Sequence, residues 1–362
     1  MGLFGRLLIL PMLAIVLVLG GAQVALAATP AFQYGAQEMA KLTASDGIAG
    51  DQLGTSAAIS GDTAVIGSPG DADLGNSSGA AYVYTRSGTT WTQQAKLKAT
   101  GGVASEYFGN SVAISGDTVV IGAPTNGSLG AAHAYVFTRT GTTWTQQQKL
   151  EDSKGYFDAF GCSVAVSGDT AVIGASEDGA NGTSAGAAYV FTRSGTTWTL
   201  QKSLAGASTL NDFGNSVAIS GDTAVVAAKG VNGNRGAAYV YTRSGTNWAQ
   251  QQMITDPAGQ ESDLFGSSVA VEGDTALIGA IYGGGTVLKA GSAFIYTRTG
   301  TSWTQQQKLT DSVGAAYDEF GGSVALSGDT VVIGAKVDDG VGLNTGSAFV
   351  FTRTGTAWTQ RA

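Results

Sequence analysis

The stretch FGNSVAISGDTVVIGAP, residues 108–124, contains the pattern that decides the fold. Two short runs of β-branched and small apolar residues, SVAIS and TVVIG, flank a Gly-Asp dipeptide, and glycine in the first position favours a two-residue hairpin turn. The stretch recurs six times, with its opening glycine at Gly54, Gly109, Gly161, Gly214, Gly266 and Gly321. An internal repeat of about 50 residues predicts a stack of similar structural units.

Each copy continues, after a variable stretch, with a second pair of strand-like segments. In copy one these segments read AYVYTR and TTWTQQAKL. We expect a two-residue turn at Ser87-Gly88 between them, which would place Tyr84 opposite Trp91. The other copies are expected to repeat this aromatic pair: Phe137 with Trp144, Phe191 with Trp198, Tyr241 with Trp248, Tyr296 with Trp303, and Phe351 with Trp358.

Four short antiparallel strands cannot bury both faces of their sheet alone, so neighbouring copies are expected to stack. Radial stacking of four-stranded antiparallel sheets gives an all-β, six-bladed β-propeller. The alternative, a linear β-solenoid, normally has much shorter coils. The six copies fall near residues 46–98, 101–150, 153–204, 206–254, 258–309 and 313–362.

The two ends of the chain predict how the ring closes. The last copy stops at WTQRA, short of the Lys-Leu pair that ends the fourth strand in copies one, two and five. Residues 37–45 contain such a pair, Lys41 and Leu42, which matches Lys308 and Leu309 of copy five. We expect this N-terminal strand to complete the last blade, because closure removes an open sheet edge. The alternative is a seven-bladed propeller in a longer chain.

Residues 1–27 have the layout of a secretory signal peptide. Arg6 precedes an apolar run that ends at Ala25-Leu26-Ala27. An uncleaved membrane anchor is the alternative. With cleavage after Ala27, residues 28–362 would form a single propeller domain that is secreted, extracellular or periplasmic, and free of the membrane. We expect this domain to be a monomer.

Composition excludes several classes of partner and of stabilising bond. The chain of 362 residues has a formal net charge of −8. An acidic protein repels phosphates, so we expect no nucleic-acid partner. The single cysteine, Cys162, excludes an intrachain disulfide, so packing must stabilise the exported fold.

The paired signals Phe108-Gly109 and Gly122-Ala123-Pro124 resemble the FG-GAP repeats of bacterial exported proteins and of integrin α-subunit propellers. The resemblance covers residues 43–362 and implies a β-propeller, although copy one has Leu53 in place of the phenylalanine. Integrin-type repeats often bind calcium in an aspartate-rich loop between the first two strands, and here that connection is only Gly-Asp.

One carboxylate per turn is too few for calcium, which takes about six to eight oxygen ligands. We therefore expect no cofactor and no metal, although the resemblance alone would suggest calcium. The turn aspartates are interpreted as structural residues: Asp62, Asp117, Asp169, Asp222, Asp274 and Asp329.

We find no residue set typical of an active site. The only histidine, His133, lies in the third strand of copy two, and a serine or cysteine nucleophile normally needs such a base beside it. Cys162 occupies a position that holds small or polar residues in the other copies. We expect no catalytic residues, no zinc site and no enzymatic activity.

An acidic residue precedes the opening glycine by three positions in almost every copy. In a propeller the first strand runs nearest the axis, so these carboxylates would ring one mouth of the central channel. Each carboxylate could pin its loop by accepting backbone N–H groups, or together they could attract cations. The candidate channel-mouth acids are Asp51, Glu106, Asp158, Asp263 and Asp318, with Asn211 followed by Asp212 in copy four.

Loop length predicts which face has a function. Both hairpin turns of each copy are short and nearly constant, whereas the strand 2–3 and inter-blade connections vary. Variable loops on a rigid scaffold usually carry recognition, which favours an exported, non-enzymatic adhesion or recognition module for an extracellular protein or carbohydrate. One alternative is a polysaccharide-processing enzyme using Glu177-Asp178 or Asp338-Asp339. The other alternative is a purely structural surface protein.

Overall fold

The computed structural model is an all-β, six-bladed propeller in which each blade is a four-stranded antiparallel sheet. It describes residues 40–125, 132–152, 158–179, 182–206, 211–284, 289–311, 314–338 and 345–361. The predicted signal peptide, residues 1–27, lies outside them. In the described part of the chain, α1 (Val231–Asn234) is a single short turn, and no helix is long and apolar enough to cross a membrane.

The strands follow one another in chain order within every blade, from the channel outwards. Blades one to three comprise β1 Ala57–Ser60, β2 Thr63–Ser68, β3 Ala80–Ser87, β4 Thr90–Leu97, β5 Ser111–Ser115, β6 Thr118–Ala123, β7 His133–Thr140, β8 Thr143–Leu150, β9 Phe160–Ser167, β10 Thr170–Ala175, β11 Ala187–Ser194 and β12 Thr197–Ala205. Blades four to six comprise β13 Phe213–Ser220, β14 Thr223–Ala228, β15 Ala237–Ser244, β16 Asn247–Ile254, β17 Phe265–Glu272, β18 Thr275–Ala280, β19 Ser292–Thr299, β20 Ser302–Leu309, β21 Phe320–Ser327, β22 Thr330–Ala335, β23 Ser347–Thr354 and β24 Ala357–Gln360.

The first hairpin of each blade has the predicted Gly-Asp turn. In blade one Ser60 pairs with Thr63, which leaves Gly61 and Asp62 as the two turn residues. Gly61 has φ +55, a left-handed conformation that glycine adopts at little cost. The same pairing recurs in the other blades, so this part of the repeat was correctly predicted.

The second hairpin has a different register from the predicted one. Ser87 pairs with Thr90, so the turn residues are Gly88 and Thr89, because Gly88 takes the left-handed first turn position with φ +61. The predicted pair of Tyr84 with Trp91 is therefore wrong: Arg86 faces the tryptophan instead. The equivalent aromatic pairs are wrong for the same reason, since the aromatic residues face Gln93, Gln146, Leu200, Gln250, Gln305 and Gln360.

The corrected register joins the two hairpins of each blade. The Arg86 Nε donates to Asp62 Oδ1 at 2.8 Å, and the guanidinium lies 5.4 Å from the centre of the Trp91 ring. Exposed ion pairs contribute little alone, but a cation above an indole adds about 0.5–1 kcal/mol. The Asp–Arg–Trp unit recurs with Arg139, Arg193, Arg243, Arg298 and Arg353.

Adjacent blades approach each other backbone to backbone. A Cβ placed on Gly122 of blade two would overlap the carbonyl oxygen of Gly161 in blade three, and the Ser111 Oγ donates to that same oxygen at 2.7 Å. Glycine allows this approach because it has no Cβ, whereas blade four has Ala227 at the equivalent position. The arrangement recurs at Gly67, Gly174 and Gly279.

Apolar side chains fill the space between neighbouring sheets, outside the glycine contact. Val83 and Leu97 of blade one pack with Phe108, Ile121 and Tyr135 of blade two. At the outer edge, tryptophan indole N–H groups donate to a glutamine of the preceding fourth strand, as Trp144 does to Gln94 at 2.8 Å. Each core is thus shared by two blades, so a single repeat would leave apolar surface uncovered on both sides.

The described residues of blades six and one form no such interface. A Cβ on Gly334 would meet only the Ser323 side chain of its own blade, and the exposed fractions of Ile59 and Val332 are 62% and 38%. We call this gap the seam. It lies between the blade-one face formed by Ala57, Ile59, Ile66 and Trp91 and the blade-six face formed by Val332, Gly334 and Ala348.

The N-terminal segment packs on blade one and adds no strand to blade six. Within the described residues, positions 40–45 belong to no strand, and blade six takes its fourth strand from β24. Leu42 and Ala44 pack against Tyr82 and Trp91. The expected completion of the last blade is not observed for residues 40–45, because Leu42 and Ala44 pack half-buried on blade one; residues 37–39 lie outside the described part of the chain.

Replacing Gly279 by alanine tests the blade-to-blade contact. The new methyl group would overlap the Gly321 carbonyl oxygen, so we expect the free energy of unfolding to fall by about 1–3 kcal/mol. Gly284→Ala is the matched control, since nothing lies within 4 Å of its added Cβ. Urea unfolding followed by tryptophan fluorescence measures both variants, and equal midpoints would contradict the close contact.

Candidate functional site

The first strands surround a central channel with a volume of about 620 Å³. Its lining includes residues 54–57, 110–112, 162–164, 215–217, 267–269 and 322–325, so it is formed mainly by small and hydroxyl-bearing side chains. Cys162 is one of them. Its thiol donates to the Gly214 carbonyl at 3.5 Å, and burial raises the pKa of this thiol. A protonated thiol is a poor nucleophile.

His133 lies buried in β7. Burial lowers its pKa to about 4, so the imidazole is neutral at neutral pH. The nearest acid is Glu151, whose Oε1 is 3.9 Å from the Nδ1 atom, which is too far for a hydrogen bond.

The structure places the candidate channel-mouth acids beneath the inter-blade loops. Asp51, Glu106, Asp158, Asp263 and Asp318 are each buried, with exposed fractions of 2–8%, and they are not among the described residues that line the channel. Most accept the backbone N–H three residues earlier: Ile48 to Asp51 at 2.8 Å, Val103 to Glu106 at 3.1 Å, Gln260 to Asp263 at 2.6 Å, and Ala315 to Asp318. This geometry ties each loop to the blade that follows it.

Copies three and four differ from this arrangement. In copy three the Asp158 Oδ1 accepts the Phe160 N–H at 3.0 Å, and burial raises the pKa of this carboxyl to about 7. In copy four the buried position belongs to Asn211, and Asp212 is the next residue along the chain, half-buried, with its pKa raised by burial.

Asp212 belongs to a second set of residues, placed two positions before each opening glycine. These residues have φ between +51 and +59, yet none of them is glycine. A side chain in this left-handed conformation costs about 1 kcal/mol or more. Their side chains differ in every copy: Gln52, Tyr107, Ala159, Asp212, Leu264 and Glu319.

A third set follows the second strand of each blade and varies as well. Its members are Pro69, Pro124, Ser176, Lys229, Ile281 and Lys336. In blades four to six, residues of the second and third sets meet around a cavity of about 710 Å³, which we call the mouth cavity. The cavity shares Ser267, Gly322 and Ser323 with the channel and therefore lies at its mouth, on the face of the variable loops. It also includes Gly334 and Ala348, so it continues into the seam.

The mouth cavity combines apolar walls with charged groups. Leu264 and Ile281 provide the apolar surface, and Lys229, Glu319 and Lys336 provide the charges. The Lys336 Nζ lies 3.1 Å from Glu319 Oε2, while the Tyr282 hydroxyl donates to Glu319 Oε1 at 3.3 Å. Two groups from neighbouring blades thus hold the carboxylate in place.

The sequence pattern indicated the acids at the third position before the glycine, and Asp212 in copy four, but not the other residues at the second position. These residues could have been found from the sequence, because their position differs from copy to copy within an otherwise near-constant repeat. Of the acid pairs considered for catalysis, Asp178 is buried and accepts a hydrogen bond from the Tyr189 hydroxyl, and Asp339 lies outside the described residues.

Asp263→Ala tests the loop-pinning function of the buried acids. Loss of a hydrogen bond to a charged group should lower the free energy of unfolding by about 1.5–3 kcal/mol. Asp263→Asn should lose less, because its amide oxygen can still accept the Gln260 N–H. Chemical denaturation measures the difference. Equal stability of Asp263→Ala and the unmodified protein would show that the hydrogen bond between Gln260 and Asp263 does not stabilise the fold.

Asp158→Asn tests the raised pKa in copy three. The unfolded chain releases the Asp158 proton near pH 3.8 and the folded chain near pH 7, so the folded state binds more protons between these values. Stability should therefore fall as pH rises from about 4 to 7 and then level off. The variant should lose this decline and be more stable at pH 8 by about 1 kcal/mol or more. If the melting temperatures of Asp158→Asn and of the unmodified protein changed with pH in the same way, the raised pKa of Asp158 would be contradicted.

Comparison with known proteins agrees with the fold and with the six copies. The sequence model of the FG-GAP repeat family matches residues 36–84, 91–137, 144–191, 198–241, 248–296 and 303–351. Each of the last five matches begins at the tryptophan of a fourth strand and ends in the third strand of the next blade. A search of curated proteins finds no match. The six matches cover most of the sequence, and the chain belongs to the FG-GAP repeat family.

Proposed function

We propose that this chain is an exported, non-enzymatic recognition module that holds an extracellular protein or carbohydrate in the mouth cavity. The observation that carries the proposal is the contrast between a near-constant frame and a variable mouth. Six copies repeat the same hairpins and the same ion pairs, while the residues of the second set differ in every copy and those of the third set range from proline and serine to isoleucine and lysine.

Backbone strain supports a function for the mouth residues. Glycine would relieve the left-handed conformation at the second position before each opening glycine, yet every copy keeps a side chain there. Strained residues of this kind concentrate at functional sites. A side chain that is retained at such a cost is consistent with contact to a ligand.

The composition of the mouth cavity suits ligand binding. Known ligand pockets have volumes of about 300–1,000 Å³ and mostly apolar walls with a few oriented polar groups. Leu264 and Ile281 would pack against an apolar surface, and the Glu319 carboxylate, held by Tyr282 and Lys336, would accept hydrogen bonds from hydroxyl or amide groups. Both sugars and polypeptides carry such groups.

The opposite face has a different chemistry. On the hairpin face each turn aspartate is paired with an arginine that lies over a tryptophan, so these charges already have partners. This difference between the faces supports recognition through the variable loops. Export through the predicted signal peptide is part of the same proposal, and FG-GAP repeats are typical of extracellular proteins.

Ile281→Arg tests the proposed binding face. The larger charged side chain would fill the mouth cavity, and we expect binding to fall at least tenfold, a change of about 1.4 kcal/mol. Thr142→Arg is the matched control, because it adds the same side chain to an exposed turn on the hairpin face. Both variants and the unmodified protein are applied to a glycan array and to surface-protein extracts of the host cell.

Two results would contradict the proposal. One is a ligand whose affinity Ile281→Arg leaves unchanged. The other is no saturable ligand in either screen, with circular dichroism showing that all three proteins are folded.

A further inference from the structure

We propose that the mouth cavity binds an acidic carbohydrate, a glycan that contains uronic acids, with one sugar carboxylate at the Lys229 ammonium; this ligand class rests on the proposed recognition function of the cavity. The residues that carry the proposal lie between blades four, five and six, away from the seam. They supply a cation, a fixed hydrogen-bond acceptor and a polar wall that continues into the channel.

The charged lining of the mouth cavity has a positive balance. It consists of two lysines, Lys229 and Lys336, and one glutamate, Glu319, while the described lining of the channel below contains no charged side chain. The buried carboxylates of Asp263 and Asp318 lie beneath the loops, where backbone N–H groups already bind them. The whole chain has a formal net charge of −8. A local positive site in such an acidic protein favours an anionic ligand at this place.

Lys229 is the cation that the protein itself leaves available. Lys336 pairs with Glu319 at 3.1 Å, but Lys229 forms no ion pair with any residue in the described part of the chain. It acts on the half-buried Asp212 only at a distance, since burial raises the pKa of that carboxyl and Lys229 lowers it less. The Lys229 N–H donates to Asn215 Oδ1 at 3.2 Å, which fixes the backbone beneath the side chain. The ammonium is therefore positioned to pair with a carboxylate of a ligand.

Lysines at the ends of the outer strands behave differently. Lys96 lies 2.7 Å from the Asp71 carboxylate, and Lys149 lies 2.9 Å from the Glu151 carboxylate. These lysines neutralise acids of their own blade. Within the third set, lysine occurs only in copies four and six, and both of these lysines line the mouth cavity. A cation at this position is thus a local feature of the cavity and no part of the repeated frame.

The Glu319 carboxylate and the Ser267 hydroxyl provide acceptors for sugar hydroxyl groups. Glu319 is fixed by its two side-chain partners from neighbouring blades. The Ser267 Oγ donates to the Leu264 carbonyl at 2.6 Å, which leaves its lone pairs to accept a hydrogen bond. A uronic acid carries a carboxylate and several hydroxyl groups on one rigid ring. Such a ring can pair with Lys229 while its hydroxyl groups donate to these acceptors.

An acidic polypeptide fits the same place less well. The channel that opens beneath the cavity is lined by small polar side chains such as Thr55, Asn110 and Ser268. A sugar chain has hydroxyl groups along its whole length and can bond to such a wall, whereas an extended polypeptide gains its specificity from pockets for its side chains. Leu264 and Ile281 would pack against the C–H face of a sugar ring. A rigid ring also loses less conformational entropy on binding than a flexible acidic side chain.

Titration calorimetry of the purified chain with acidic oligosaccharides provides the test. The probes are oligomers of galacturonate, of mannuronate with guluronate, and of glucuronate with N-acetylglucosamine, each compared with its fully methyl-esterified form. We expect at least one acidic oligomer to bind saturably. Its methyl ester should bind at least tenfold more weakly, because esterification removes the charge that pairs with Lys229. Added salt should also weaken binding of the acidic oligomer.

Substitutions of single lysines identify the position of the carboxylate. Lys229→Gln should weaken binding of the acidic oligomer at least tenfold, while Lys229→Arg should keep most of the affinity because it keeps the charge. Lys202→Gln is the matched control, since it removes an exposed lysine from the outer strand β12 and should leave binding unchanged. All three variants should keep the thermal midpoint of the unmodified protein.

The results separate a wrong ligand class from a wrong function. Absence of binding by every acidic oligomer, equal binding of the methyl ester, or binding that Lys229→Gln leaves unchanged would overturn the acidic-carbohydrate proposal. If a neutral glycan or a polypeptide binds instead, and Ile281→Arg abolishes that binding, recognition at the mouth cavity stands and only the ligand class is wrong. If the folded protein binds no saturable ligand of any class, both proposals are contradicted.

Discussion

The close approach of backbone atoms between neighbouring blades is the constraint on which this structure depends. Where Gly122 meets the Gly161 carbonyl, no side chain fits between the two sheets. This contact sets the spacing near the channel, and the shared apolar cores and the tryptophan–glutamine hydrogen bonds set it farther out. Every sheet is therefore placed by its neighbours, and a sheet without a neighbour, as at the seam, leaves apolar surface uncovered.

The two faces of the propeller differ in their connections. Turns on the hairpin face have two residues, and their aspartates are paired with arginines in the Asp–Arg–Trp units. The opposite face carries the connections that vary, supported from below by buried carboxylates such as Asp263. A rigid frame beneath variable side chains is an arrangement suited to recognition, and variation can accumulate there without a change in the frame.

Much of the fold could be predicted from the sequence because every repeat contains its own turn residues and strand-forming apolar runs. The Gly-Asp turn defined the first hairpin, and repetition defined the number of blades. The second hairpin was predicted one residue out of place, since Ser87-Gly88 and Gly88-Thr89 are both plausible turns and only the backbone conformation of Gly88 decides between them. Closure by the N-terminal segment could not be judged either, because Leu42 can pack on blade one without pairing with blade six.

The site was predicted less well than the fold. Asp51 and its equivalents were selected for their charge, but their buried carboxylates accept backbone N–H groups. The residues of the second set beside them share no chemical type, so no single residue pattern identifies them. The most direct test of the account is the distance across the seam, measured by electron–electron resonance between spin labels at the exposed turn residues Thr89 and Thr356. We predict a distance clearly longer than that between labels at Thr142 and Thr196, because blades six and one do not pack against each other as blades two and three do. A distance equal to that between Thr142 and Thr196, on adjacent blades, would contradict the account.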